Sequence, residues 1–350
     1  MNDFTRFLAK AGLDLTTMVV AKKAYDIFFK RYERPDYRIT PGLINYELYK
    51  NMLPREELYF ESRDVDLKGY YYPANSNNLI ILAHGFHSGA DDFLPIIYYL
   101  NKNGFDVFTY DAKGTYDSKG KSTDGFCRFL IDLESAIKYV QKNKKYKGKG
   151  LFLLGHSCGG FAVAAVLNIV KGIKACASIS GFNNGYTLLM EKGSQYAGEL
   201  ATQGVHKAFL DYYQKHLFGK YINYLGINGI NKSKIPVFLA HGMEDEVIDY
   251  DLQSLISKRD EITNPNVTYY FGTGLLAKHC SILYSENSNE YQEEVNNELK
   301  KIGKENKRDK DKQIEQKIEY LKSVNHYLYS EINYPLFDQI IKFYKEANNI

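Results

Sequence analysis

Short, continuous apolar runs recur along this chain, and helical periodicity fills most of the gaps between them. The runs fall at 79–83, 105–110, 151–155, 174–179, 237–240 and 267–271. A strand with one wet face alternates apolar and polar residues, so a run without alternation reads as a strand buried on both faces, with helices above and below it. Helical patterns near 93–102, 126–141, 158–171 and 250–259 supply such cover. Two more strands, 58–61 and 65–72, read as a hairpin around 62–64. The expected fold is α/β, a mostly parallel eight-stranded sheet with helices on both faces.

The core is expected at 58–182, 233–284 and 333–350, with two interruptions. Residues 183–232 are rich in aromatic side chains (Tyr186, Tyr196, Phe209, Tyr212, Tyr213, Phe218) and read as a helical cap insertion. Residues 285–332 read as a helical hairpin insertion. One stripe is Tyr291, Val295, Leu299 and Ile302, the other Ile314, Ile318, Leu321, Val324 and Leu328, and the charged run 303–312 is the solvated tip. A last helix starts near Pro335 and ends by Ala347. Residues 1–57 form an N-terminal helical extension. Within it, 4–30 alternates Phe4, Leu8, Leu15, Met18, Val19, Ile27 and Phe28 with Arg6, Lys10, Lys22 and Lys23, an amphipathic helix expected to pack on the body; weak contact with a membrane surface is the alternative.

Charge excludes some partners. Forty-five Lys and Arg against 42 Asp and Glu, a net +3, create no field that selects nucleic acid. The uncharged run 15–21 is too short to span a bilayer and is a poor secretory core. Cys127, Cys158, Cys176 and Cys280 are widely spaced, so no disulfide framework or zinc site is suggested, and a cytoplasmic location is expected. His84 and His87 are the only close histidine pair and no thiolate or carboxylate cluster accompanies them; no metal or cofactor is expected.

The chemistry is concentrated after the run 151–155, where Gly155-His156-Ser157-Cys158-Gly159 leads into an Ala- and Val-rich helix. G-x-S-x-G between strand and helix places a nucleophile on a tight, strained turn, where side chains two residues either way would collide. A serine hydroxyl needs a histidine base, and that histidine needs a carboxylate to hold its tautomer. Two later strand ends offer them: His241 to Ile248, with Glu244, Asp245 and Glu246 as acids that spacing alone leaves open, and 274–279, ending on His279. His84, His156 and His241 sit at strand ends suited to local hydrogen bonds, and His326 lies inside a helix.

With His84-Gly85-Phe86, Gly155-His156-Ser157-Cys158-Gly159 and His241-Gly242-x-x-Asp245-x-x-Ile248, the chain resembles the α/β-hydrolase superfamily, in particular its esterase, lipase and serine-aminopeptidase-like branch. The resemblance implies an α/β-hydrolase fold with Ser157 as nucleophile, Asp245 as acid and His279 as base. It also implies an oxyanion hole from the backbone N–H groups of Phe86 and Cys158, and Asp111 as a structural turn residue. The expected activity is hydrolysis of a small, apolar carboxylic ester. The alternatives are a peptidase or amidase, in which Asp92, Glu191 or Glu199 would hold an amino terminus, an acyltransferase or thioesterase, and a binding or sensor protein on this fold.

Overall fold

A computed structural model describes residues 15–348. Its strands are β1 (Glu56–Ser62), β2 (Val65–Tyr72), β3 (Asn78–Ala83), β4 (Asp106–Tyr110), β5 (Gly150–His156), β6 (Ile173–Ile179), β7 (Val237–Gly242) and β8 (Val267–Gly272). They form one sheet in the order β1-β2-β4-β3-β5-β6-β7-β8. The β1–β2 hairpin joins the sheet antiparallel to β4, and the remaining pairs are parallel.

The unbroken apolar runs of the inner strands are explained by the two cores, whereas the run 267–271 is not buried on both faces: β8 is an edge strand with Thr268 and Phe271 exposed. Leu79, Ile81, Ala83, Leu151, Leu153 and Leu239 enter one core. Their neighbours Ile80, Leu82, Phe152, Leu154, Phe238 and Ala240 enter the other. Successive side chains leave a strand on opposite faces, so a strand covered twice must be apolar throughout. The covering helices include α1 (Leu15–Phe28), α2 (Leu94–Lys102), α3 (Phe126–Lys142) and α4 (Cys158–Ala165). Helix α4 is shorter than the expected 158–171, passing into a 3-10 turn at Val166–Asn168. There Asn168 Nδ2 donates to the carbonyls of Ala165 and Leu225 and ties off the helix end.

No α-helix forms over 250–259, contrary to the sequence pattern; the segment is turns leading into a 3-10 stretch, Ile256–Glu261. The side chain of Asp249 accepts the N–H groups of Asp251 and Leu252, and that of Ser254 accepts the N–H of Ser257. These local bonds compete with a helical ladder.

The cap region holds α5 (Gly185–Ala197) and α6 (Gly204–Phe218), while α7 (Gly226–Ser233) packs on α4 so closely that a Cβ at Gly229 would meet the Ala164 carbonyl oxygen at 2.1 Å. Asn184 caps α5, accepting from the N–H groups of Tyr186 and Thr187. The second insertion comprises α8 (Glu286–Glu305), α9 (Lys310–Leu321) and the short α10 (His326–Tyr329), and α11 (Tyr334–Ala347) returns to the sheet. Val295, Leu321 and Val324 form the insertion's own small core, with Tyr291 and Leu299 against it. Its two ends are bridged by Tyr284 and Ile332.

Residues 4–14 of the expected N-terminal helix lie outside the described residues. Within α1 the packing face differs from the expectation: Val19 and Ile27, each 61% exposed, face outward, whereas Tyr25 and Phe29 are buried. The helix is anchored by rings at its C-terminal end. Phe28 stacks on Phe86 at 5.6 Å, and Tyr25 meets Tyr213 of the cap edge-on at 5.2 Å. Arg34 then binds Asp91 and Asp117, each at 2.6 Å, and Arg55 takes the other oxygen of Asp91 at 2.8 Å. No helix among the described residues is long and apolar enough to cross a membrane.

Candidate active site

Ser157 lies where β5 turns into α4, with φ 57° and ψ −118°, a conformation that L-residues rarely adopt. The glycines around it are required by contact. A Cβ at Gly155 would lie 2.2 Å from the Gly159 carbonyl oxygen, and one at Gly159 would lie 2.0 Å from that of Ala83. Gly85 brings the next loop against the turn; a Cβ there would stand 3.1 Å from Ser157 Cβ. The backbone N–H of Phe86, on this loop, and that of Cys158, at the start of α4, are donated to no carbonyl of the fold among the described residues. Burial pushes the Cys158 thiol up, while the Phe86 N–H and the Ser157 hydroxyl pull it down.

His279 and Asp245 meet at this rim. Ser157, Asp245 and His279 are 6%, 7% and 5% exposed. His279 Nδ1 lies 2.7 Å from Asp245 Oδ2. A carboxylate accepts only, so Nδ1 carries the proton and Nε2 is left as the basic nitrogen. Asp245 Oδ1 accepts the N–H groups of Val247 and Ile248 at 2.8 and 2.7 Å. Burial alone would raise the Asp245 carboxyl, but hydrogen bonds from His241 and His279 outweigh it and hold the group well below the usual carboxylate range. Glu244 and Glu246 are exposed, and Glu246 reaches only the backbone N–H of His279, at 3.2 Å. The fold thus brings Asp245, not its neighbours, to the imidazole. Ser157 Oγ makes no hydrogen bond to His279 in this conformation, although the ring of the adjacent His156 is 4.9 Å from that of His279.

Two histidines read as local turn it out to touch this group. His156 Nε2 donates to the His279 carbonyl at 3.1 Å, joined there by Ser180 Oγ at 3.2 Å. His241 lies 3.1 Å from Asp245 Oδ2. For His241 the spacing of four residues before Asp245 was the available signal; for His156 there was none, because its partner is far along the chain. His84 does bond locally, donating from Nδ1 to the Gly85 carbonyl and accepting the Ala112 N–H at Nε2. Asp111 is structural: it accepts the Ala90 N–H and the Tyr70 hydroxyl, each at 2.9 Å, behind the Gly85 loop.

Burial, reinforced by His279, pushes His156 down to about 3. An unfolded histidine titrates near ~6.5, so between there and pH 3 the unfolded chain binds a proton that the folded chain refuses. Stability is therefore lost as pH falls through that window, by up to about 3 kcal/mol at pH 4.5. His84, also lowered by burial, acts in the same direction. Urea midpoints should be lower at pH 4.5 than at pH 7.5, and His156→Gln should flatten the difference; an equally steep loss in the variant would clear His156 as its source.

The sheet order and the serine-bearing turn between β5 and α4 are those of the α/β-hydrolase fold. Residues 74–207 match the family model described as serine aminopeptidase, S33, a segment that contains Phe86, Ser157 and Cys158. An esterase of Pyrococcus furiosus shares the fold with a TM-score of 0.52 at 23% identity, over 72% of this chain and 91% of that one. The monoglyceride lipase of Saccharomyces cerevisiae is 31% identical over 158 residues, 42% of this chain and 50% of the lipase. The Escherichia coli protein described as uncharacterized protein YfhR is 28% identical over 209 residues, 56% of this chain and 64% of its own length. The chain thus spans less than two thirds of the length of these curated relatives.

Proposed function

We propose that the protein is a serine hydrolase of small, apolar carboxylic esters. The observation that carries this reading is the buried Asp245–His279 pair at the same sheet edge as a serine on a strained turn. His279 Nε2 takes the proton of Ser157 Oγ as the oxygen attacks the ester carbonyl. The resulting oxyanion is held by the N–H groups of Phe86 and Cys158, the latter at the positive end of α4. His279 returns the proton to the departing alkoxide, water then adds to the acyl-serine by the same route, and the acid leaves. The Ser157–His279 hydrogen bond forms when substrate enters. The aromatic-rich composition of residues 183–232 supports an apolar acyl or aryl group over a highly charged one.

One observation favours an amidase or peptidase as a second reading: Glu191 Oε2 is buried without a hydrogen-bond partner, although Oε1 of the same carboxylate already takes Lys192 Nζ at 3.3 Å and Gln195 Nε2 at 3.1 Å. Asp92 is less suited, since it already accepts from Ser88, Gly89 and Tyr116. A fluorophosphonate probe should label the wild type and not Ser157→Ala, and persistent labelling would remove the nucleophile. A chain-length series of p-nitrophenyl esters should outpace aminoacyl anilides; the reverse order would select the second reading.

A further inference from the structure

Asp245 is held by two imidazoles, and only one of them belongs to the reacting group. His241, at the end of β7, is 1% exposed and packs edge-on against the ring of Tyr250, 6.0 Å between centroids. Its Nε2 faces Asp245 Oδ2 at 3.1 Å and the Ile248 carbonyl at 3.2 Å. Both are acceptors, so Nε2 carries the hydrogen and donates. His279 Nδ1 donates to the same Oδ2 at 2.7 Å. Oδ1 accepts the N–H groups of Val247 and Ile248. Each carboxylate oxygen is thus gripped by two N–H donors, and a rotation of the carboxylate about its own axis would break all four bonds at once.

We propose that His241 is a positioning residue: its Nε2–H fixes the second lone pair of Asp245 Oδ2, so that the first is always aimed at His279 Nδ1. This rests on the reading of Ser157, His279 and Asp245 as the reacting group. Without the donor, a buried lone pair is left with no partner and the carboxylate is free to swing toward one. The imidazole of His279 then spends part of its time misaligned. Substrate affinity is set elsewhere, so the loss falls on turnover.

Gln and Asn separate this role from simple packing. The side-chain N–H of Gln extends as far as Nε2 of histidine, whereas that of Asn stops at the position of Nδ1. His241→Gln should keep kcat within about threefold of wild type, while His241→Asn should lose roughly 10- to 100-fold in kcat with KM changed by less than about twofold. Equal losses in the two variants, or wild-type kcat in the Asn variant, overturn the proposal. A second measurement needs no disruptive variant: in protein labelled with ¹⁵N-histidine, the His241 resonances, assigned by their absence in His241→Gln, should report a hydrogen on Nε2. Protonation at Nδ1 alone would overturn the donor role. Ser157→Ala, assayed in parallel, keeps the two failures apart. If it is inactive while His241→Asn behaves as wild type, the positioning role alone fails; if it retains full turnover, the reading beneath falls first and takes this one with it.

Discussion

Ser157→Ala is expected to lower turnover of an uncharged p-nitrophenyl ester by roughly 10⁴-fold or more, with little change in thermal midpoint. The turn at 157 is held by its surroundings. The Ser157 N–H donates to the Ile179 carbonyl, and its carbonyl accepts from Phe161. Alanine can occupy the same φ as serine, so the bend survives and only the oxygen is lost. Residual activity would then come from N–H groups aimed at the substrate oxygen and from water in place of the hydroxyl. His279→Ala should cost a similar factor, and the double variant scarcely more, because groups that act together are not additive. Steady-state kinetics decides: a Ser157→Ala enzyme with a tenth of wild-type activity would not be using this residue as its nucleophile.

Gly159→Ala should be the most damaging single methyl group in the region, lowering stability by about 4 kcal/mol or more. The new carbon would stand 2.0 Å from the Ala83 carbonyl oxygen and 2.6 Å from its carbon. Both belong to backbone at the end of β3, an inner strand of the sheet, so no side-chain rotation relieves the clash. Either α4 lifts from the sheet or β3 shifts, and β3 pairs with both β4 and β5. Denaturant unfolding, or loss of soluble protein, measures the effect. A wild-type midpoint would mean that the contact between strand and helix is loose.

What the sequence disclosed divides along physical lines. The central strands were legible because burial on both faces leaves an unbroken apolar signature, and the bend at Ser157 because glycine is demanded at 155 and 159 by contacts of about 2 Å. The region 250–259 misled because its apolar spacing is helical while Asp249 and Ser254 divert the backbone donors, a competition that periodicity does not register. In α1 the pattern showed an apolar stripe but not which side would be covered; large rings at 25, 28 and 29 outweighed Val19 and Ile27. The contacts of His156 and His241 with the site were harder to read for another reason. A histidine at a strand end has a local carbonyl within reach in any fold, and only the assembled sheet shows that the group across from it is His279 or Asp245.

The second insertion leaves and rejoins the body through a narrow clasp. Ser285 N–H donates to the Glu331 carbonyl, and Asn333 N–H to that of Leu283, each at 2.9 Å. The segment is also held on the body from within, since His326 Nδ1 and Ser330 Oγ accept the N–H groups of Gly42 and Leu43; freedom of length is left to the tip between α8 and α9, where the entropy of closing a loop grows only slowly with size. Evolution, or an engineer, can shorten or lengthen that tip without disturbing the strands or the loop that carries His279.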